Sequence, residues 1–459
     1  MTTDRLSLPA REFATGIEAV AARFDSRERS ALSASPSAAS PSAAREAEVP
    51  PPGPWRRFAT SSRLMHYNRL AAVVVAANAG YAGYRLMHGG VPASGLAHLA
   101  LANFALAVLI RQQYVINLLY GLASAAPVRW PLRVRWTLGK VYHYGGLHVG
   151  GAIGGSLWTL ALVGVLAADG LAGGIASMAV SCALTAVLAG MLVTALPPLR
   201  TRRHDRFELT HRFGGWAALL LVWAQAALSH DTASLWLLGV LTLSIALPWL
   251  RLRKVPVRVE RPSDHVAIVH FDYGVTPWVG STSVISRSPL LEWHSFANLP
   301  PVGRTGFRVT VSRAGDWTAR FIDHPPSHLW VKGIPVSGVS KIESLFKRVV
   351  YVATGSGIGP CLNNLLAAQV PARLVWVTRD PRTTYGDALV DSIFAVHPDA
   401  LVWDSTRQGR PDLVRLAYTA WRDFDAEAVI CVSNKPLTWK VVHGMESRGI
   451  PAYGAIWDS

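Results

Sequence analysis

The sequence predicts a three-part chain: a six-helix transmembrane bundle, then a small antiparallel β-barrel, then an α/β domain with a parallel sheet. Three observations predict it. Six long apolar runs follow one another between residues 67 and 250. After Val255 the runs shorten, become β-branched or alternating, and are separated by Gly, Pro and Asp. From Arg348 the order is strand, Gly-rich turn, helix, strand, helix, strand, which implies parallel pairing. The predicted boundaries are 1–66, 67–251, 252–345 and 346–459.

Composition narrows the classes. Of 459 residues, 50% are hydrophobic and 16% charged, where an ordinary soluble domain has about 25% charged. A wholly disordered chain is excluded. The formal charge is +16, from 45 Lys and Arg against 29 Asp and Glu. The basic residues flank apolar spans, which points to a membrane surface and not to nucleic acid. Cys182, Cys361 and Cys431 are too few and too scattered for a disulfide framework or a zinc site.

Residues 1–66 contain no hydrophobic span, and Ala31–Pro54 is rich in Ala, Ser and Pro. Such a segment buries too little apolar surface to offset chain entropy, so a disordered cytoplasmic tail without a signal peptide is expected. The six spans are Tyr67–Leu86, Gly95–Ile110, Val141–Ala168, Ile175–Leu196, Phe213–Leu228 and Ser234–Leu250. A spanning helix needs about 20 apolar residues. Arg129, Arg133, Arg135 and Lys140, then Arg200, Arg202, Arg203 and Arg206, then Arg251, Arg253 and Lys254, lie on one side. The opposite loops, 169–174 and 229–233, contain no Lys or Arg. An integral protein of an inner or plasma membrane, with both termini cytoplasmic, is expected.

Predicted strands of the barrel are Val257–Val259, Val266–Phe271, Ser283–Ser286 and Phe307–Ser312. Those of the α/β domain are Val349–Ala353, Leu374–Thr378, Ala400–Asp404 and Ala428–Val432. Between its first strand and first helix runs Thr354-Gly355-Ser356-Gly357-Ile358-Gly359-Pro360. Glycines at alternate positions let phosphate oxygens approach backbone N–H groups at a helix N-terminus, and Pro360 suits the first helical turn. A tight structural turn would use the same residues. Arg379, at the end of the second strand, suits the 2′-phosphate of NADP(H), while the adjoining Asp380 would instead take the ribose hydroxyls of NAD(H). Three pieces of the barrel could border a flavin: Glu292 to Ala297, Arg313 to Thr318, and Lys332 to Gly338. Each aromatic there would serve equally as core.

With these residues in view, the chain from about 67 to 459 resembles the ferric reductase and NADPH oxidase superfamily, whose soluble half resembles ferredoxin–NADP reductase. It most resembles the membrane and reductase portion of fungal TmpL-type proteins. Those fuse such a region to an adenylate-forming domain that this sequence lacks. The matching details are His294-Ser295-Phe296-Ala297, Gly315-Asp316-Trp317-Thr318, the turn ending at Pro360, Gly409-Arg410-Pro411, Thr210 to Trp216, and the terminal Trp457-Asp458-Ser459. The resemblance implies FAD held by His294, Ser295, Phe296, Ala297, Trp317, Thr318 and Gly333. It implies NADP(H) held by Thr354, Gly355, Gly357, Gly359, Pro360, Arg379 and Arg410. Trp457 would cover the flavin ring and Ser433 would stand by the nicotinamide. Ala297 replaces the family's hydroxyl facing flavin N5, and Ser433 replaces its Cys.

Imidazoles in spans are functional candidates. His143 and His211 could ligate one b-type haem, with His148 as the alternative partner, and Gly145, Gly146, Gly214 and Gly215 making room for the macrocycle. A second, outer haem lacks its ligands, since the corresponding positions hold Ser156 or Leu157 and Ala224 or Gln225. The expected function is a membrane-bound flavin oxidoreductase. It would pass electrons from cytoplasmic NAD(P)H through FAD to an inner haem or an unidentified acceptor. The alternative is a catalytically weak NAD(P)H sensor of the same fold.

Overall fold

A computed structural model describes residues 48–170, 174–299 and 305–454. The expected structureless tail differs where it is described. A short helix, α1 (Pro54–Ala59), stands there with Pro at its start. It is ordered by docking on the C-terminal domain: Gly53 N donates to Ser447 O at 3.1 Å, and Arg448 Nε donates to Pro50 O at 2.6 Å.

The helical region contains α2 (His66–Met87), α3 (Ala93–Leu109), α4 (Gln113–Ser124), α5 (Leu132–Leu138) and α6 (Gly145–Ala168). After these come α7 (Ile175–Ala195), α8 (Pro197–Arg202), α9 (His204–Leu228) and α10 (Thr232–Leu250). Three stretches are long and apolar enough to cross a membrane, namely Leu132–Ala168, α7 and α10. Taking the bent pair α3–α4 as one span makes four. Helix α2 includes Arg69 and Arg85, and α9 opens with His204, Asp205, Arg206 and Glu208, so these two are less apolar than the six-span expectation requires. The 69° bend between α3 and α4 occurs where Gln112 accepts from Tyr114 N and Val115 N, starting a new helix.

Glycines set the packing of the bundle. A Cβ at Gly146 would stand 2.1 Å from Tyr67 O of α2, and one at Gly155 would stand 2.4 Å from the Phe104 ring of α3. Small residues one helical turn apart on α6 thus let α2 and α3 approach closely on two faces. Asn78 and Asn103 exchange hydrogen bonds at 2.9 Å between α2 and α3. Trp158 of α6 donates to Asn78 at 2.6 Å.

The barrel strands are β1 (Leu252–Glu260), β2 (Val266–Phe271), β3 (Ser281–Ser286), β4 (His294–Ala297) and β5 (Phe307–Ser312). Helix α11 (Asp316–Asp323) then leads to β6 (His328–Lys332) and β7 (Val336–Ser337). The antiparallel order is β4-β3-β6-β1-β2-β5, with β7 on β3. Leu299 and Arg308 exchange backbone hydrogen bonds at 2.8 and 2.7 Å, which nearly closes the barrel from β4 to β5. Alternation places Val255, Ile285, Val309, Val311, Leu329 and Val331 inside.

The last domain comprises β8 (Val349–Thr354), α12 (Ile358–Ala367), β9 (Ala372–Thr378), α13 (Pro381–Tyr385), α14 (Asp387–Val396) and β10 (Leu401–Asp404). It continues through α15 (Ser405–Gln408), α16 (Leu413–Asp423), β11 (Ala428–Val432), α17 (Lys435–Glu446) and β12 (Ala452–Tyr453). Its sheet is wholly parallel, in the order β10-β9-β8-β11-β12. The chain reverses direction across the sheet between β8 and β11, and ligands of such sheets sit at that point, beyond the strands' C-terminal ends.

Two buried ion pairs fasten this domain to the helices. Arg135 of α5 grips Glu427 with two bonds of 2.6 and 2.9 Å and also donates to Leu345 O at 2.8 Å. Lys140 bonds Glu446 and Ala452 O and lies 4.5 Å from the Tyr453 ring centre. Gly139 is required there, because a Cβ would stand 2.7 Å from that ring.

Candidate functional site

The site begins at the switch point. Strand β8 is buried along nearly its whole length and delivers Thr354 to the sheet's C-terminal edge. The chain then turns through Gly355, whose φ of +49° favours glycine. It passes over the end of β11 so closely that a Cβ on Gly357 would stand 2.0 Å from Val432 O. Helix α12 starts at once, with Pro360 in its first turn. Thr354 Oγ1 and Ser433 Oγ hydrogen-bond across the crevice. The sequence-predicted Thr354, Gly355, Gly357, Gly359, Pro360 and Ser433 are therefore gathered at one edge.

On the β9–β10 side, Arg379 and Arg410 are exposed. Asp380 donates its backbone N–H to Asp404 at 3.1 Å, and its carboxylate accepts from Thr406 at 3.3 Å. Arg407 pairs with Asp404 at 3.3 Å. Asp380 is thus engaged locally, while Arg379 is exposed. Arg407 was missed from sequence; its signal was its position on the short helix after β10, three residues before Arg410.

Gly359 faces the barrel, its added Cβ 3.6 Å from Thr310 of β5. Thr310 Oγ1 and both polar atoms of the Asn363 amide are buried without hydrogen-bond partners among the described residues. Sequence reading missed both residues, since a lone Thr or Asn announces nothing until two lobes meet. Deeper in, Tyr351 donates to Glu343 at 2.7 Å. Burial holds the Glu343 carboxyl above the usual range, against the hydrogen bonds of Tyr351 and Asn364. Burial also pushes the Cys431 thiol to about 12, and Cys361 rises for the same reason. Neither thiol is a nucleophile at neutral pH.

The barrel residues are more committed to one another. His294 and Trp317 stack with ring centres 3.9 Å apart, and Phe296 and Phe321 lie against the same indole. His294 is held below its ordinary pKa by burial, with Glu292 opposing from 3.6 Å. Ser295 is exposed, and Ala297 pairs with Thr282. Thr318 Oγ1 accepts from Ala314 N and Gly315 N at 2.9 and 3.0 Å, so its hydroxyl caps its own helix. Gly333 N donates to Arg251 O at 3.2 Å. The loop beyond it is tied to α4, with Asn117 bonding Pro335 O and Ser337 N at 2.9 Å each. Trp317 Nε1 remains a buried donor without a partner among the described residues. Trp457 lies outside the described residues.

The histidines are placed differently from expectation. His143 stacks on His66 at 5.7 Å, and His211 stands beside His148 at 6.0 Å. His148 Nδ1 is 2.9 Å from Ala107 O. Three of the four glycines expected to make room for a macrocycle are approached by neighbouring side chains or backbone, while a Cβ at Gly215 would meet nothing within 4 Å. Cβ atoms at Gly145, Gly146 and Gly214 would meet Tyr67, Tyr67 O and Met191 at 2.9, 2.1 and 2.9 Å. His211 thus meets the alternative partner His148 and not His143, and among the described residues no group of three or more His, Cys, Asp or Glu side chains could hold a metal ion. The b-type haem expected at His143, His211 or His148 is not supported.

Comparison with known proteins gives a family direction. A family model described as "Adenylate-forming reductase 03009, C-terminal domain" matches residues 339–459. Adenylate-forming reductases 03009 and 06235 of Coprinopsis cinerea are each 43% identical over 411 residues, covering 86% of this chain. The chain spans about 40% of the length of these curated relatives. Among solved structures, a ferredoxin NADP+ reductase from Neisseria gonorrhoeae with bound FAD and NADP is 11% identical, with a TM-score of 0.35, covering 45% of this chain and 98% of that one. A mutant ferredoxin-NADP+ reductase from Plasmodium falciparum in complex with 2′P-AMP is 13% identical, also at 0.35, covering 44% and 95%. At such TM-scores the likeness decides nothing about this chain. The matches to adenylate-forming reductases overturn both the placement in the ferric reductase and NADPH oxidase superfamily, with its TmpL-type affinity, and the expected function as a membrane-bound flavin reductase of the ferric-reductase kind or its sensor variant.

Proposed function

We propose that this chain acts as an oxidoreductase of the adenylate-forming reductase kind, and that its own residues form a reductase part that binds a nicotinamide dinucleotide. The observation that carries this is the crossing point of the parallel sheet, where Gly355 and Gly357 bring the chain over Val432 and Thr354 bonds Ser433. The pyrophosphate would lie on the N-terminus of α12, where backbone N–H groups and the helix dipole favour anions. Arg379, Arg407 and Arg410 would surround a 2′-phosphate, favouring NADP(H) over NAD(H). The Thr354–Ser433 hydroxyl pair would orient the nicotinamide amide.

FAD is the second cofactor of this reading. It fits in part: among the described residues Thr310 Oγ1 and Asn363 offer unmet hydrogen-bonding capacity where α12 meets the barrel, and Trp317 Nε1 offers more within the barrel, whereas Thr318 and the loop after Gly333 are engaged within the protein. When bound, a flavin supplies hydride acceptance from a reduced nicotinamide. The chain's residues bind, orient and exclude water around it.

The helical half is read as membrane-embedded, with the two lobes on the side rich in Arg and Lys. The test is titration of the purified full chain with NADPH and NADH, with the visible spectrum recorded. Tight NADPH binding lost in Gly357→Ala supports the reading. Absence of binding to either dinucleotide overturns it.

A further inference from the structure

Strand β6 stands three strands from β5 in either direction around the barrel, so its outer face is opposite the junction of the lobes. A cavity of about 370 Å³ opens there, lined by Lys254, Arg287, Pro326, Ser327, His328 and Trp330. Register explains the grouping: Lys254 of β1 and Ser286 of β3 both pair with Trp330 of β6, and Arg287 follows Ser286. No carboxylate lines the cavity. Arg287 donates to His324 O at 2.7 Å, and among the described residues neither Lys254 nor Arg287 has an ion-pair partner. The site is cationic, with the Glu292 carboxylate beside it accepting from the Arg287 backbone N–H at 3.1 Å.

Its location adds a second fact. Helix α10 ends at Leu250, so Lys254 stands four residues on, at most about 14 Å of extended chain away. Lys332, two residues along β6 from Trp330, sits 5.4 Å from the ring of Trp249 in the last turn of α10 and 4.4 Å from that of Trp293. Trp216, Trp249 and Trp293 form a row of edge-on rings at 5.8 and 5.9 Å, a pattern that marks a membrane–water interface. Between Arg287 and Trp293 the β3–β4 loop leaves Leu290 and Leu291 about 60% exposed. Arg212 of α9 donates to Leu290 O at 2.8 Å, holding this loop at the helix ends.

We propose that the cavity is a headgroup site for an anionic phospholipid, with Leu290 and Leu291 resting in the acyl boundary beside it. This rests on the reading of the helices as membrane-embedded. It is independent of the dinucleotide site. The lipid phosphate and its extra acidic group would meet Lys254 and Arg287, while Trp330 floors the site. A choline headgroup would bring a cation against two unpaired cations and is disfavoured. Basic residues near a charged bilayer each contribute roughly five-fold in affinity, so the pair is worth roughly 30-fold. The bound lipid fixes the barrel against the bilayer and so sets how the lobes sit above it.

The test is native mass spectrometry of the detergent-solubilised full chain titrated with phosphatidylserine or phosphatidylcholine. Wild type retains phosphatidylserine with a preference of roughly 30-fold. Lys254→Gln/Arg287→Gln abolishes that preference, and Lys254→Arg/Arg287→Lys keeps it. Arg422→Gln/Lys440→Gln, which removes the same charge elsewhere, leaves it intact. Equal retention of the two lipids, or a loss shared by the last variant, overturns the site, as does displacement of the lipid by millimolar inorganic phosphate. A wild-type chain that neither needs detergent nor enters liposomes overturns the membrane reading with it. NADPH binding measured on the same samples reports separately on the dinucleotide site.

Discussion

Replacing Glu427 by Gln removes one charge and leaves the geometry of the side chain nearly unchanged. Arg135 is 4% exposed at its side chain and Glu427 20%. The Gln keeps one acceptor for the guanidinium but no charge to balance it. Breaking a buried pair by removing one partner costs about 3–5 kcal/mol, because the other charge stays behind uncompensated. Glu427 is partly wetted, and Arg135 retains the carbonyls of Trp130 and Leu345 at 2.8 Å each, so the lower end applies, about 3 kcal/mol. A domain of this size loses about 4 °C in Tm per kcal/mol, which gives a drop of about 12 °C. The assay is thermal unfolding of the detergent-solubilised chain followed by intrinsic fluorescence. Arg135→Met/Glu427→Leu should recover most of the loss, since the cost lies in the orphaned charge. A Glu427→Gln chain that melts within a degree of wild type, or a double variant no better than the single, would refute the reasoning.

Gly357→Ala should lose NADPH binding in calorimetry while helix content by circular dichroism is kept, because the new Cβ meets Val432 O at 2.0 Å and moves the turn; wild-type affinity would count against the site. Arg379→Ala should weaken NADPH binding about 10- to 100-fold, the worth of a charge-assisted hydrogen bond, with NADH unchanged; an equal loss for both would remove Arg379 from the 2′-phosphate. With thiol pKa values pushed up by burial, Cys361 and Cys431 should resist maleimide at pH 8 until denaturant is added, and labelling of either in the native chain contradicts their burial. Burial, then the charge of Arg212, holds Lys332 at about 8 against 10.5 in the unfolded chain. The unfolded chain therefore binds more protons between those values, and stability should rise with pH across that window; Lys332→Met should flatten the rise in urea titrations, and an unchanged slope would contradict it.

The legible parts of the chain were those written in local pattern. Val266–Phe271, Phe307–Ser312 and Ala428–Val432 read as strands from β-branched content and form at those bounds. Strands β4, β6, β7 and β12 did not read out. His294–Ala297 pairs with β3 only because the barrel folds back on itself, and β12 has two residues. Thr318 and Gly333 looked available to a ligand because a sequence does not say which hydroxyl caps its own helix or which loop another domain grips. Helix α1 was unreadable for the same reason, since its order comes from partners near Ser447, far along the chain.

By itself the sequence determined the succession of apolar, alternating and βα-patterned segments, and the Gly355–Pro360 turn. Those depend on hydrophobic periodicity and on backbone sterics, which act between near neighbours. Only the tertiary structure decided that His211 meets His148 and not His143, that Gly146 and Gly155 receive neighbouring helices, and that Lys254, Arg287 and Trp330 share one cavity. Those outcomes depend on strand register and interhelical distance, set by long-range packing that no local pattern encodes.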